Sequence, residues 1–278
     1  MSLDYELLDT GEGERLERWG SVRLTRPDPQ IIWERHLTAA DWQTVDAIFA
    51  EKNWEVKKPM PDPWIISYGD IKLKAMLTNF KHTGVFPEQE ENWKWMIEKL
   101  QKPSRILDLF AYTGAASMIL AKAGHHVTHV DASKPALDWA AENQKLSGLP
   151  ADSIRWMLED AVKFVKREVK RGAQYEGILL DPPAFGHGPS GSIWKFNRDL
   201  PGLLRDCASL LSPDARFLLV NGYATNSSSI ALNNLLEDTM KYRPGTITHG
   251  ELLLSQRDGR RISTGIFSRW TIDTAKSR

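Results

Sequence analysis

Between residues 90 and 242 short apolar runs alternate with amphipathic ones, and this alternation constrains the fold more than any other feature of the chain. Residues 104–110, 127–131, 154–157, 177–181 and 217–221 are apolar runs of strand length. Residues 90–100, 115–123, 135–147, 161–171, 200–211 and 228–242 have helical spacing. Strands alternating with helices predict an α/β fold, a mostly parallel sheet with helices on both faces. Two last runs, 246–255 and 262–272, flank Arg257-Asp258-Gly259-Arg260 and predict a C-terminal hairpin that adds an antiparallel strand.

The first part of the chain reads differently. Short alternating runs at 5–8, 16–19 and 22–24, with turns at 10–13 and 27–29, predict a small β-rich element. Pro59, Pro61 and Pro63 then mark a connection, followed by a hairpin over 64–68 and 71–78 turning at Gly69-Asp70. The expected division is a small N-terminal element over residues 1–62 and a larger domain over 63–278.

Charge bounds the function. The 36 basic and 36 acidic residues cancel, so no overall positive field holds a polyanion, and any nucleic-acid contact must be local. Lys163, Lys166, Arg167, Lys170 and Arg171 on one helix, and Arg257, Arg260 and Arg261 in the hairpin, are the basic groups available. Each set reads equally as a solvated face. Eleven tryptophans suit core packing more simply than base stacking. The lone cysteine, Cys207, leaves no pair for a disulfide, in keeping with a reducing, cytoplasmic compartment. No long apolar run or leader pattern predicts a membrane span or export. His82, His125, His126 and His187 lack metal-ligand spacing and read as surface or turn residues.

In an open parallel sheet, ligands bind beyond the C-terminal ends of the strands. Asp108 ends the first strand, and a turn of small residues containing Gly114 leads into the next helix. A carboxylate there can accept bonds from an ammonium group, while the helix N-terminus receives polar ligand atoms. Nicotinamide cofactors want GxGxxG at this turn, and it is absent. Asp131 after the second strand can take both hydroxyls of a ribose. Asp160 after the third can read an exocyclic amine, or serve only as a helix N-cap. The fourth strand ends in Asp181-Pro182-Pro183-Ala184-Phe185. Two prolines stiffen that corner and leave carbonyl acceptors beside a carboxylate, and Phe185 offers a stacking surface.

Taken together, DLFAYTG, DASKPALDWAAENQKLSGL, EDA and LLDPPAFG resemble the bacterial class I ribosomal RNA methyltransferases related to the large-subunit cytosine and guanine enzymes. HTGVFPEQ, residues 82–89, resembles the segment that helps close the cofactor pocket in that family. The resemblance covers roughly residues 70–270 and implies a Rossmann-like class I methyltransferase sheet using S-adenosylmethionine (SAM) on structured, ribosomal RNA. It implies cofactor contacts from Thr83, Phe86, Gln89, Asp108, Phe110, Tyr112, Gly114, Asp131, Ala132, Asp160, Ala161 and Asp181. It also implies that Asp181, Pro182, Pro183 and Phe185 face the donor methyl and the target base.

Two departures sharpen this reading. Phe110 and Tyr112 stand where many class I methyltransferases have glycine, a variant typical of the RNA group. Methylation at carbon 5 of a pyrimidine needs a thiolate to activate the ring, and the cytosine-modifying relatives carry it just after the fifth strand. Residues 219–226 here contain none, and Cys207 lies in a helical run. Direct transfer to nitrogen or oxygen remains, with Asn221 and Asp181 the polar groups placed to orient the acceptor. Asn221 serves equally as a turn former. A small-molecule or protein acceptor, and a binding module without turnover, stay open as alternatives.

Overall fold

In chain order the elements are β1 (Tyr5–Gly11), β2 (Glu14–Trp19), β3 (Val22–Pro27), α1 (Ala39–Gln43), β4 (Ala47–Ala50), β5 (Asn53–Val56), β6 (Trp64–Tyr68) and β7 (Ile71–Ala75). There follow α2 (Glu90–Lys99), β8 (Arg105–Leu109), α3 (Ala115–Lys122), β9 (His126–Asp131), α4 (Lys134–Leu146), β10 (Ile154–Leu158), α5 (Ala161–Lys170) and β11 (Gly177–Leu180). The last are β12 (Phe185–His187), β13 (Ile193–Lys195), α6 (Phe196–Ser209), β14 (Phe217–Gly222), α7 (Ser229–Met240), β15 (Thr246–Ser255) and β16 (Arg261–Thr271). This computed structural model describes residues 1–187 and 193–272.

The chain forms two compact units, Met1–Glu90 with Leu253–Ser263 and Glu91–Leu252 with Thr264–Arg278. The division therefore falls at residue 90 rather than near 62. The prolines at 59, 61 and 63 look like a linker, but the β6–β7 hairpin beyond them packs back on the first strands: Asp4 N–H donates to Ser67 O (2.8 Å) and Trp64 Nε1 to Trp19 O (3.0 Å).

In the first unit the sheet order is β1-β2-β3-β4-β5, and β4 runs parallel to β3, so the element is mixed rather than purely antiparallel. Leu16, Trp19, Leu24 and Ala47 fill its core. Glu17, fully buried, takes a two-pronged pair from Arg26 (2.6 and 2.7 Å) and the Tyr5 hydroxyl (2.8 Å); a buried carboxylate survives where its lone pairs are met this way.

In the second unit seven strands form one sheet in the order β10-β9-β8-β11-β14-β16-β15. β8 to β11 and β14 pair in parallel, and β16 is antiparallel to β14. The hairpin thus adds two strands at this edge, where the pattern led us to expect one. Strand order reverses between β8 and β11, which opens the crevice at their C-terminal ends. Alternate side chains face opposite layers. Leu107, Leu109, Ile178, Leu180, Leu218 and Val220 join the buried faces of α5, α6 and α7. Asp108 and Phe217, on the other face, meet Ser117 of α3 and Trp95 of α2.

Helix α6 starts at Phe196, four residues before the expected 200, and carries Pro201 inside it. Proline near a helix start reads as its first turn, but the Asp199 carboxylate accepts the Lys195 N–H at 2.7 Å, and buried Phe196 anchors the added turn.

Candidate active site

The turn after β8 has an unusual backbone. Phe110, Tyr112 and Gly114 have φ of 58°, 51° and 81°. Left-handed backbone costs a residue with a Cβ roughly 1 kcal/mol, so two such residues in three need an external clamp. Asp131 supplies it, accepting the Tyr112 N–H on Oδ2 (2.9 Å) and the Ser133 N–H on Oδ1 (2.8 Å). One carboxylate thereby fixes both the β8 turn and the start of α4, whose N-cap is Ser133. The Ala132 N–H also donates to this carboxylate, which leaves it acceptor capacity for a ligand hydroxyl.

Asp108 lies one strand over, 2% exposed. Its hydrogen-bond partner among the described residues is the Ser117 hydroxyl, 2.6 Å from Oδ2. Ser117 Oγ is also 3.0 Å from Nδ1 of His129, the residue paired with Asp108 across β8 and β9. Burial pushes the Asp108 carboxyl up to about 7, with Asp131 adding to the rise and Ser117 opposing it. Burial holds the His129 imidazole down at about 3, so it supplies no cation. A buried acid with a raised pKa and no positive partner among the described residues fits an ammonium group, the amino-acid end of SAM.

Asp160 caps α5, its Oδ1 accepting the Lys163 N–H at 3.0 Å. The cap reading is thus realised at one oxygen. Asp160 sits beside the second-strand acid because Glu159 N–H donates to Asp131 O (3.0 Å). Ala161 is buried and Ala132 half-buried. Asp108, Asp131 and Asp160 therefore meet at the ends of three adjacent strands.

Across the switch point, Asp181 N–H donates to Leu109 O (3.1 Å), holding the β11 corner to β8. Pro182 is buried, and the Pro183 carbonyl accepts Trp194 Nε1 at 2.7 Å. One of the two carbonyls expected to face a ligand is thus spent inside the corner. Trp194 also packs on Phe110, with ring centroids 5.2 Å apart, joining the β8 turn to the proline corner. Phe185 is 52% exposed. Asn221 is 2% exposed, within β14 rather than in a turn. It accepts from Asn92 Nδ2 at 3.1 Å.

Thr83, Phe86 and Gln89 belong to the other unit. Thr83 and Gln89 are buried, and the Phe86 ring packs on His82 with centroids 5.4 Å apart. Of the basic groups, Arg167 and Arg171 pair with Glu159 and Glu168. Arg257 pairs with Glu6, while Arg260 meets His36 and lies over the Trp33 ring. His125 is buried rather than on the surface. No helix among the described residues is long and apolar enough to cross a membrane.

Sequence reading missed Ser117, His129, Trp194 and Asn92, which touch Asp108, Ser117, Phe110 and Asn221. Each gains its role only from a neighbour distant in sequence, so no local pattern marks it.

The family model of S-adenosylmethionine-dependent methyltransferases matches residues 24–253. The chain belongs to that family. The cofactor of this methyltransferase is therefore SAM. A solved SAM-dependent methyltransferase from Agrobacterium tumefaciens is 40% identical, with a TM-score of 0.93 over 96% of this chain and 90% of that one. Ribosomal RNA large subunit methyltransferase K/L of Syntrophotalea carbinolica is 32% identical over 56% of this chain and 22% of its own length. Ribosomal RNA large subunit methyltransferase I of Aeromonas salmonicida is 30% identical over 45% and 31%. The methyltransferase thus spans about a fifth to a third of the curated relatives it matches.

Proposed function

We propose that the protein transfers a methyl group from SAM to a nitrogen or oxygen of a base in ribosomal RNA, without a cysteine nucleophile. The bound cofactor supplies the methyl on a positively charged sulfur. The chain's own residues bind, align and exclude water. Asp108 receives the ammonium and Asp131 the ribose hydroxyls, while Asp160 keeps a carboxylate oxygen beyond its cap bond for the adenine amine. Asp181 and the stiffened prolines hold the acceptor, exposed Phe185 stacks on the target base, and Asn221 orients it.

The observation that carries the direct-transfer reading is the position of Cys207, the chain's single cysteine. It is fully buried in α6 within the apolar cluster, and burial pushes its thiol up, away from the thiolate a ring addition needs. Ribosomal RNA as substrate is supported by the names of the curated relatives and by their 30–32% identity. With the formal charge balanced, recognition rests on local groups, among them Arg261 and the outward lysines of α5.

The test is mass spectrometry of ribosomal RNA nucleosides from cells with and without the gene, repeated with Asp181→Ala restored to the deletion strain. One methylated nucleoside should vanish on deletion and stay absent with the variant. Identical nucleoside profiles in the two strains would remove the RNA assignment, and full rescue by Asp181→Ala would remove the acceptor pocket.

A further inference from the structure

Arg269, Asn92 and Asn221 form a line of hydrogen bonds whose direction is forced from one end. Arg269 lies on β16, its guanidinium over the rings of Trp95 (4.8 Å) and Phe267 (4.4 Å). Nη1 donates to Asn92 Oδ1 at 3.2 Å and Nε to Thr248 Oγ1 at 3.3 Å. A guanidinium carries donors only, so the Asn92 atom that meets it must be the carbonyl oxygen. The Asn92 amide nitrogen is thereby turned to Asn221, donating to Oδ1 at 3.1 Å. Asn221 has its oxygen engaged, and its own amide nitrogen has no hydrogen-bond partner among the described residues although the residue is 2% exposed.

That nitrogen stands at the acceptor side of the site. Leu180 pairs with Val220, so the next residues along the two parallel strands, Asp181 and Asn221, are neighbours at the C-terminal edge of the sheet. An amide nitrogen that no protein group among the described residues engages is available to donate to a ligand atom with a lone pair.

We propose that Asn92 and Arg269 are positioning residues that fix Asn221 as a hydrogen-bond donor, so that this edge selects a target presenting a lone pair, a carbonyl oxygen or an unprotonated ring nitrogen. The inference rests on the reading of Asp181 and Asn221 as the acceptor side. It adds a direction, and with it a specificity, that the identity of Asn221 alone does not give.

Asn92→Asp tests it with almost no change of shape. The new carboxylate still accepts from Arg269 but has nothing to donate. Asn221 must turn over to donate to it, presenting oxygen where nitrogen stood. In protein labelled with 15N at asparagine and saturated with S-adenosylhomocysteine, the Asn221 side-chain protons should exchange with water at least about tenfold more slowly in Asn92→Asp than in the wild type. Methyl transfer to ribosomal RNA from a strain lacking the gene should fall about 10- to 100-fold in kcat/KM, since an acceptor would face an acceptor. Melting temperature and S-adenosylhomocysteine affinity should stay near wild type. Arg269→Lys, which still only donates, should keep most activity, while Arg269→Gln should not.

Unchanged Asn221 exchange in Asn92→Asp, or wild-type turnover by that variant, would overturn the proposal. If the wild type transfers nothing to this RNA, the substrate reading falls instead, and the exchange measurement still decides which way Asn221 points.

Discussion

Ser117 donates its hydroxyl to Oδ2 of Asp108 across 2.6 Å, and this single bond is what the buried carboxylate has in place of a cation. The adjacent imidazole of His129 is neutral, held down by burial, so Asp108 keeps its proton up to about pH 7.

The stability of the cofactor-free protein should therefore depend on pH with an uncommon sign. Asp108 in the unfolded chain loses its proton near its ordinary value of 3.8, and the folded chain holds it to about 7. Between these values the folded state binds the extra proton, so this group's contribution to stability falls as pH rises from about 4 to about 7 and is level above. Asp108→Asn, which cannot ionise, should abolish that slope and stabilise the empty protein at pH 8 by about 4 kcal/mol. Thermal melts of both proteins from pH 4 to 8 check this. A wild type no less stable than Asp108→Asn at pH 8 would refute it.

Cofactor binding should carry the matching signature. An ammonium group needs the ionised form of Asp108, so binding S-adenosylhomocysteine below pH 7 must release a proton. Its Kd should rise about tenfold for each pH unit well below the midpoint. Ser117→Ala removes the bond that favours the charged form, so the midpoint should move upward. Calorimetry in two buffers of different ionisation enthalpy counts the protons, and zero release at pH 6 would contradict the assignment of Asp108.

The β8 turn should tolerate no side chain at Gly114. Its φ is 81°, and a Cβ there would stand 3.0 Å from Met118 Cε and 3.2 Å from Ala140 Cβ. Gly114→Ala should cost about 1–2 kcal/mol and displace the start of α3, weakening S-adenosylhomocysteine binding as well. Loss of stability with unchanged affinity would mean that the turn bears on folding alone.

The central strands β8, β9, β11 and β14 were legible because most of their residues are buried on both faces, which leaves continuous apolar runs. Their terminal acids stood out for the same reason, since Asp131 or Asp181 ends an otherwise apolar stretch. The Thr38–Asp41 capping box that starts α1 carries a local signature too, yet the short helix behind it went unread. Ser117, Asn92 and Arg269 were not legible at all. A serine nine residues after Asp108 means nothing until α3 folds over β8, and an arginine in a C-terminal strand looks like surface until α2 brings Asn92 to it.

Cys207 offers the sharpest separation between two chemistries. If a thiolate attacked the base, Cys207→Ala would abolish transfer. The side chain is fully buried among the apolar residues of α6, α7 and the sheet, where it acts as a small hydrophobe. Cys207→Ala should therefore lower stability by about 1 kcal/mol through the cavity left behind and leave kcat unchanged at temperatures where the variant is folded. The measurement is single-turnover methyl transfer alongside a thermal melt. Loss of transfer in a variant that still melts cooperatively and binds S-adenosylhomocysteine would restore covalent catalysis and require α6 to open during turnover.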